Sequence, residues 1–167
     1  MSSSYRLKAA IVVGATAAFA SPALAGNTST DLSVEADVTA NCTVSTSALD
    51  FGDIDSMSAT AVTGTGGVSV TCTNGTTWTA AADAGDGASA TFATRKMTSG
   101  ANTLNYSLYT TNSYGTVWGD GTSGSATIGN TGSGSAQAVT VYGRIPGGQS
   151  GVPAGSYSDL VSVTITY

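Results

Sequence analysis

The sequence predicts an all-β domain behind a short export signal. After the first 25 residues the chain is rich in Thr, Ser, Val, Gly and Ala and poor in Glu, Lys, Leu and Gln. β-branched residues favour strands, and clusters of Gly, Asn, Asp and Ser favour turns. No window in this part carries apolar residues at helical i, i+3, i+4 spacing. Alternation with period two recurs instead, most regularly over Leu32–Ala40 and Tyr157–Tyr167, and that is the pattern of strands with one buried face. Short strands between turn clusters point to a sandwich or barrel.

The chain has 167 residues, enough for one domain with a real core. Arg6 and Lys8 form a positive start, Ala9–Ala20 a short apolar run, and Ala23-Leu24-Ala25 a small-x-small cleavage site. Together they read as a secretory signal peptide over residues 1–25, cleaved after Ala25. The apolar run is too short for a comfortable bilayer span, and no other stretch is a candidate. The mature chain is therefore expected to be exported, with no membrane insertion. It keeps three basic residues (Arg95, Lys96, Arg144) against ten acidic ones, a net charge of −7. An acidic chain without a basic cluster argues against nucleic acid and anionic membrane surfaces as partners.

Residues 26–31 are a polar leader. Leu32, Val34, Ala36, Val38 and Ala40 then share one face of an alternating stretch. Such a strand near a mature N-terminus pairs either within its own fold or with another chain's sheet. Asn41–Val44 continues it, Ser45–Ala48 reads as a turn, and Leu49–Ile54 is a short segment broken by Gly52. Residues 55–67 read as loop. Val68–Thr73 is a strand with Val68, Val70 and Cys72 on one face. Asn74-Gly75 is a turn signal, and Trp78–Ala82 is the returning strand. Asp83–Gly87 reads as a turn, Ala88–Met97 as a strand anchored by Phe92, and residues 98–103 as a polar turn. Leu104–Thr110 is a strand rich in aromatics. Asn112–Gly115 turns into Thr116–Gly121, followed by a Gly/Ser/Thr stretch to 135 interrupted by Ile128. Ala138–Ile145 is a strand and 146–155 a Gly/Pro loop. In the final strand Tyr157, Asp159, Val161, Val163, Ile165 and Tyr167 lie on one face, and Asp159 is the only charge. An uncovered edge of this kind templates pairing with another chain.

In an exported protein the two cysteines, Cys42 and Cys72, are expected to form one disulfide. A metal site lacks ligands, because the chain has no His. The same absence removes Ser-His-Asp and Cys-His catalytic arrangements. Asp53 with Asp55 and Asp83 with Asp86 sit in turn-like sequence, where Asp shapes turns. Asp83–Gly87 lacks the spacing and closing Glu of an EF-hand loop, and no Lys-Ser/Thr follows Gly115–Gly121 to make a phosphate loop. Trp78, Trp118 and the tyrosines 106, 109 and 114 read as core or cross-strand pairs rather than a sugar platform. Arg144 reads as a surface or edge charge. No enzyme activity, cofactor or metal is expected.

Five motifs in order resemble those of the spore coat protein U family, which includes subunits of archaic (Csu-type) chaperone–usher pili. They are Leu49–Gly52, Asn105–Thr110, Thr116–Gly121, Val141–Pro146 and Ala154–Tyr167. The last, small-Gly-x-Tyr-x-Asp before a Val/Thr strand, is the most specific. The resemblance implies an incomplete immunoglobulin-like β-sandwich lacking its last strand, residues 42–167, completed by a donor strand from a neighbour. Residues 26–41 would be the donor extension, with Leu32, Val34, Ala36, Val38 and Ala40 entering the neighbour's groove. Tyr157, Val161, Val163, Ile165 and Tyr167 would belong to the acceptor and chaperone-binding strand. The implied partners are neighbouring copies, a periplasmic chaperone and an outer-membrane usher. The implied role is a structural subunit of a surface pilus that supports adhesion and biofilm formation. A coat-type surface protein of the same fold and a self-complemented secreted carbohydrate-binding module are the alternatives. Ala36 and Ala40 bury little area, so at about 25 cal/mol per Å2 they add less to such a joint than Leu32 does.

Overall fold

The structure is a computed structural model that describes residues 25–167. The expected signal peptide, apart from Ala25, lies outside the described residues. These residues part into two units after Ala36, and the second, Asp37–Tyr167, carries every strand. The strands are β1 (Cys42–Ser47), β2 (Val62–Cys72), β3 (Thr77–Ala82), β4 (Arg95–Ser99), β5 (Asn102–Tyr109), β6 (Ile128–Thr131), β7 (Gln137–Ile145) and β8 (Val163–Thr166). Among the described residues there is no helix long and apolar enough to cross a membrane.

Two sheets form, ordered β1-β2-β7-β5-β4 and β6-β3-β8, with every neighbouring pair antiparallel. The alternation read from sequence sets their inner faces. The larger sheet contributes Val68, Val70, Leu104, Tyr106, Leu108, Val141 and Ile145, and the smaller one contributes Trp78, Ala80 and Ala82. Trp118 enters the core from the loop after β5, and its indole N–H donates to the Ala80 carbonyl at 3.1 Å. The Trp78 N–H donates to Gln137 Oε1 at 3.1 Å. Both tryptophans are core residues, as their sequence context implied, and each polar edge has the partner that burial demands.

Cys42 stands directly opposite Cys72 in the β1–β2 register, and the two form the expected disulfide. Just before it, Thr73 N donates to the Asn41 carbonyl at 2.9 Å and Asn41 N donates to Thr73 Oγ1 at 3.1 Å. With the Thr73 hydroxyl donating to the same carbonyl at 3.3 Å, the start of β1 is fixed by one covalent bond and three hydrogen bonds.

Five local expectations change. β1 runs on to Ser47 through the expected turn, because Thr46 and Ser47 find partners in Val68 and Gly67. β2 begins at Val62, inside the stretch read as loop. Its glycines looked like loop chemistry, but they are packing chemistry. A Cβ at Gly66 would stand 2.9 Å from Leu49 Cβ, and one at Gly143 would stand 2.7 Å from both Leu49 and Phe51. The glycines make a flat floor on which Leu49 and Phe51 lie. Residues 88–94 are turns rather than strand, closed by Ala90 N to Gly87 O and by a reciprocal Thr91–Thr94 pair, so β4 starts only at Arg95. The expected turn at 98–103 shrinks to Gly100 and Ala101, and Gly100 has φ +59°. The short β6 emerges from the Gly/Ser/Thr stretch around Ile128.

Candidate functional site

β1 is an outer strand of the larger sheet and β8 an outer strand of the smaller one. Among the described residues neither has a strand on its far side. Between them lies a groove. One cavity, of about 320 Å3, is walled on one side by Thr46–Leu49 at the exit of β1 and on the other by Tyr157–Asp159, Val161 and Val163. Its floor is Val68, Tyr106, Leu108, Trp118 and Val141. A second cavity, of about 680 Å3, continues past Leu49, Phe51, Met97 and Tyr157, which line both, toward Leu104, Ile145 and Val152. The floor is almost wholly apolar and already belongs to the core. Such a surface gains free energy when covered, at about 25 cal/mol per Å2.

The residues named from sequence for the acceptor side separate along the chain. Tyr157, Val161 and Val163 line the groove and are half-buried. Ile165 is half-buried against the core in β8, and Tyr167, beyond the strand, is exposed. The strand itself is shorter than expected. Residues 157–162 keep their alternation of faces without forming a continuous ladder, because the chain there passes from one sheet to the other. The residues named for the donor side, Leu32, Val34, Ala36, Val38 and Ala40, lie in no strand and are all exposed, with Leu32, Val34 and Val38 at 83–87%.

Sequence reading missed a polar network that ties the groove's wall to β4, β5 and the turn after β3. Arg95, the first residue of β4, has no exposed surface. Its guanidinium donates to the carbonyls of Asp83 (3.0 and 2.6 Å), Phe92 (3.1 Å) and Trp118 (2.8 Å). Burial pushes its pKa down, and nearby Tyr106, Asp83 and Asp159 oppose that shift. Tyr106, opposite Arg95 in the β4–β5 register, donates its hydroxyl to Asp159 Oδ2 at 2.7 Å. Asp83 shapes its turn as expected, accepting Gly85 N at 2.9 Å, and it also accepts Ser162 N from the final segment at 3.0 Å. The isolated charge of Asp159 on the last strand was the only sequence signal of this network. Asp55 makes a turn, accepting Met57 N at 2.9 Å. On the opposite, outward face, Tyr109 and Tyr114 meet edge to face, and the exposed Arg144 lies over the Tyr114 ring. No group of three or more His, Cys, Asp or Glu among the described residues is placed to hold a metal ion.

The chain is similar to known proteins in sequence and in fold. The chain is 36% identical to Protein U of Myxococcus xanthus, over 95% of this chain and 96% of that protein. Its fold is similar to a chain in the crystal structure of the CsuC–CsuE chaperone–tip adhesion subunit pre-assembly complex, from archaic chaperone–usher Csu pili of Acinetobacter baumannii. That likeness has a TM-score of 0.54 at 20% identity and covers 78% of this chain and 40% of that one. The Spore Coat Protein U domain profile matches residues 28–164, and the chain belongs to that family.

Proposed function

We propose that the protein is a structural subunit of an extracellular pilus, polymerised when the Leu32–Ala40 segment of one copy fills the groove of the next. The observation that carries this reading is the apolar groove between the free edges of β1 and β8, in a chain whose own alternating segment is exposed. Residues 26–41 are the donor extension, residues 42–167 the sandwich that lacks one strand, and residues 1–25 the cleaved signal. A strand laid in the groove would bond to free edges and cover the floor, which is recognition by β-augmentation.

The start of β1 favours donation to another copy. Asn41 is bonded to Thr73, and Cys42 is tied to Cys72. No residue between Ala40 and the β1–β2 ladder is left for a reversal. A tight hairpin needs about two loop residues, and a strand parallel to β1 needs a crossover of about a dozen. Head-to-tail donation does not close on itself and so builds a filament.

Until the donor arrives, an open groove is an aggregation hazard, which supports a periplasmic chaperone that covers it and an outer-membrane usher where the exchange occurs. Surface adhesion and biofilm support follow as the role of the fibre. The match to the Spore Coat Protein U domain favours a second reading, a coat-type surface layer built from the same joint. Purified residues 26–167 and the same chain lacking 26–40 would be compared by light scattering and on SDS gels without boiling. Ladders from the longer chain alone support donation. A monomeric longer chain, no less stable after the deletion, would overturn it. Electron microscopy of the polymer separates fibre from layer.

A further inference from the structure

The final segment changes sheets within a few residues. Ser158 exchanges two backbone bonds with Thr98 of β4, at 2.8 and 3.1 Å. Ser162 instead accepts from Asp83 N, just past β3, at 3.1 Å. Asp159, Leu160 and Val161 cross between the sheets, and this crossover forms one wall of the groove. Side chains hold it. Asp159 accepts the Tyr106 hydroxyl at 2.7 Å, Asp86 N at 2.8 Å and Leu160 N at 3.0 Å. On the other side of the crossover, the Asp83 carboxylate accepts Ser162 N. The Asp83 carbonyl is in turn held by buried Arg95.

A carboxylate on a groove wall costs free energy unless its bonds are worth more, and this one takes bonds from two other elements. Space has been kept for it. Gly85 has φ +82°, and a Cβ there would run into the Asp159 carboxylate. The inward turn of Tyr157, Val161 and Val163 depends on where the crossover lies, because a one-residue slip would send all three to solvent.

We propose that Asp159 is the positioning residue of the acceptor groove. Clamped by Tyr106 and the Asp86 amide, it fixes the register in which the last segment crosses the sheets and so presents Val161 and Val163 to an incoming strand. The proposal rests on the donor-strand reading. Its test uses the whole mature chain and a labelled synthetic peptide of residues 26–40, with peptide release and amide exchange at Leu160–Ser162 both measured. Asp159→Ala and Tyr106→Phe are each expected to speed release by about tenfold, the order of one hydrogen bond to a charged group. Both should speed exchange at those amides. Asp159→Asn keeps an oxygen for the Asp86 amide and should recover part of the loss. Tyr106→Phe keeps the ring and its packing, so it carries the test even where the alanine variant fails to fold. Wild-type release and exchange in Tyr106→Phe would overturn the proposal. So would an asparagine variant no better than a folded alanine variant. A wild-type chain that neither polymerises nor takes up the peptide would sink the donor-strand reading itself, and the positioning role with it.

Discussion

Val163 is hydrogen-bonded into a sheet, half-buried, and faces a groove. Val34, on an equally regular alternating run, is 83% exposed and lies in no strand. Alternation decides which side chains share a face, but not what that face meets. The last segment has three sources of partners: the β4 edge at Ser158, the β3 edge from Ser162 onward, and the carboxylates between them. Among the described residues the first segment makes one side-chain bond of its own, from Ser33 Oγ to Glu35 at 3.3 Å. The pair teaches that a strand sequence remains a latent strand until a free edge is brought to it. In this fold the outer edges of β1 and β8 border an apolar groove.

The junction between the two regimes is the disulfide. Removing it with Cys42→Ala and Cys72→Ala opens a loop closed across a sequence separation of 30. The expected cost is about 3–4 kcal/mol in urea unfolding, and β1 should become as exposed to amide exchange as the segment before it. A loss below about 1 kcal/mol would mean that the ladder alone holds β1. The next effect sets the two valines directly against each other. Val163→Asp forces a carboxylate against the core and should cost about 2–3 kcal/mol. Val34→Asp should change the melting of the isolated chain by less than about 0.5 kcal/mol. Yet Val34→Asp should block polymer growth while leaving the variant able to accept a wild-type 26–40 peptide. If Val34→Asp destabilised the monomer as much as Val163→Asp, the contrast between the segments would collapse.

Much of this was legible in residues. Period-two alternation placed Val68, Val70 and Cys72 inward, and the placement of Trp78 and Trp118 in the core followed from their neighbours. The disulfide followed from export and a count of two. What escaped was non-local. The glycines of β2 read as loop because their reason, the side chains of Leu49 and Phe51 lying across them, comes from another part of the chain. Arg95 carried no sign of burial, because the carbonyls that satisfy it belong to Asp83, Phe92 and Trp118, brought together only by the fold. The groove left no local pattern, because its walls at β1 and the last segment are brought together only by the fold.

A smaller loss than that of Val163→Asp reaches into the wall of the groove. Burial, then the hydrogen bond with Asp159 and that carboxylate's charge, push the Tyr106 hydroxyl far above the ordinary value of 10.0, and the charge of Arg95 only partly opposes them. In the unfolded chain the same hydroxyl ionises near pH 10. Above that pH the unfolded state has released a proton that the folded state keeps, so stability falls as pH rises. The contribution of Tyr106 is therefore whole below about pH 10 and lost progressively above it. Tyr106→Phe should cost about 1–2 kcal/mol at neutral pH, through the lost bond to Asp159. It should also flatten the alkaline decline relative to wild type, since the other titrating groups are common to both chains. The check is a urea midpoint for each chain at about pH 8 and about pH 11, on either side of the tyrosine range. Parallel declines would place the Tyr106 hydroxyl in contact with solvent. They would take Tyr106 out of the clamp on Asp159 and leave the last segment held by its ladder bonds and by the Asp86 and Ser162 amides.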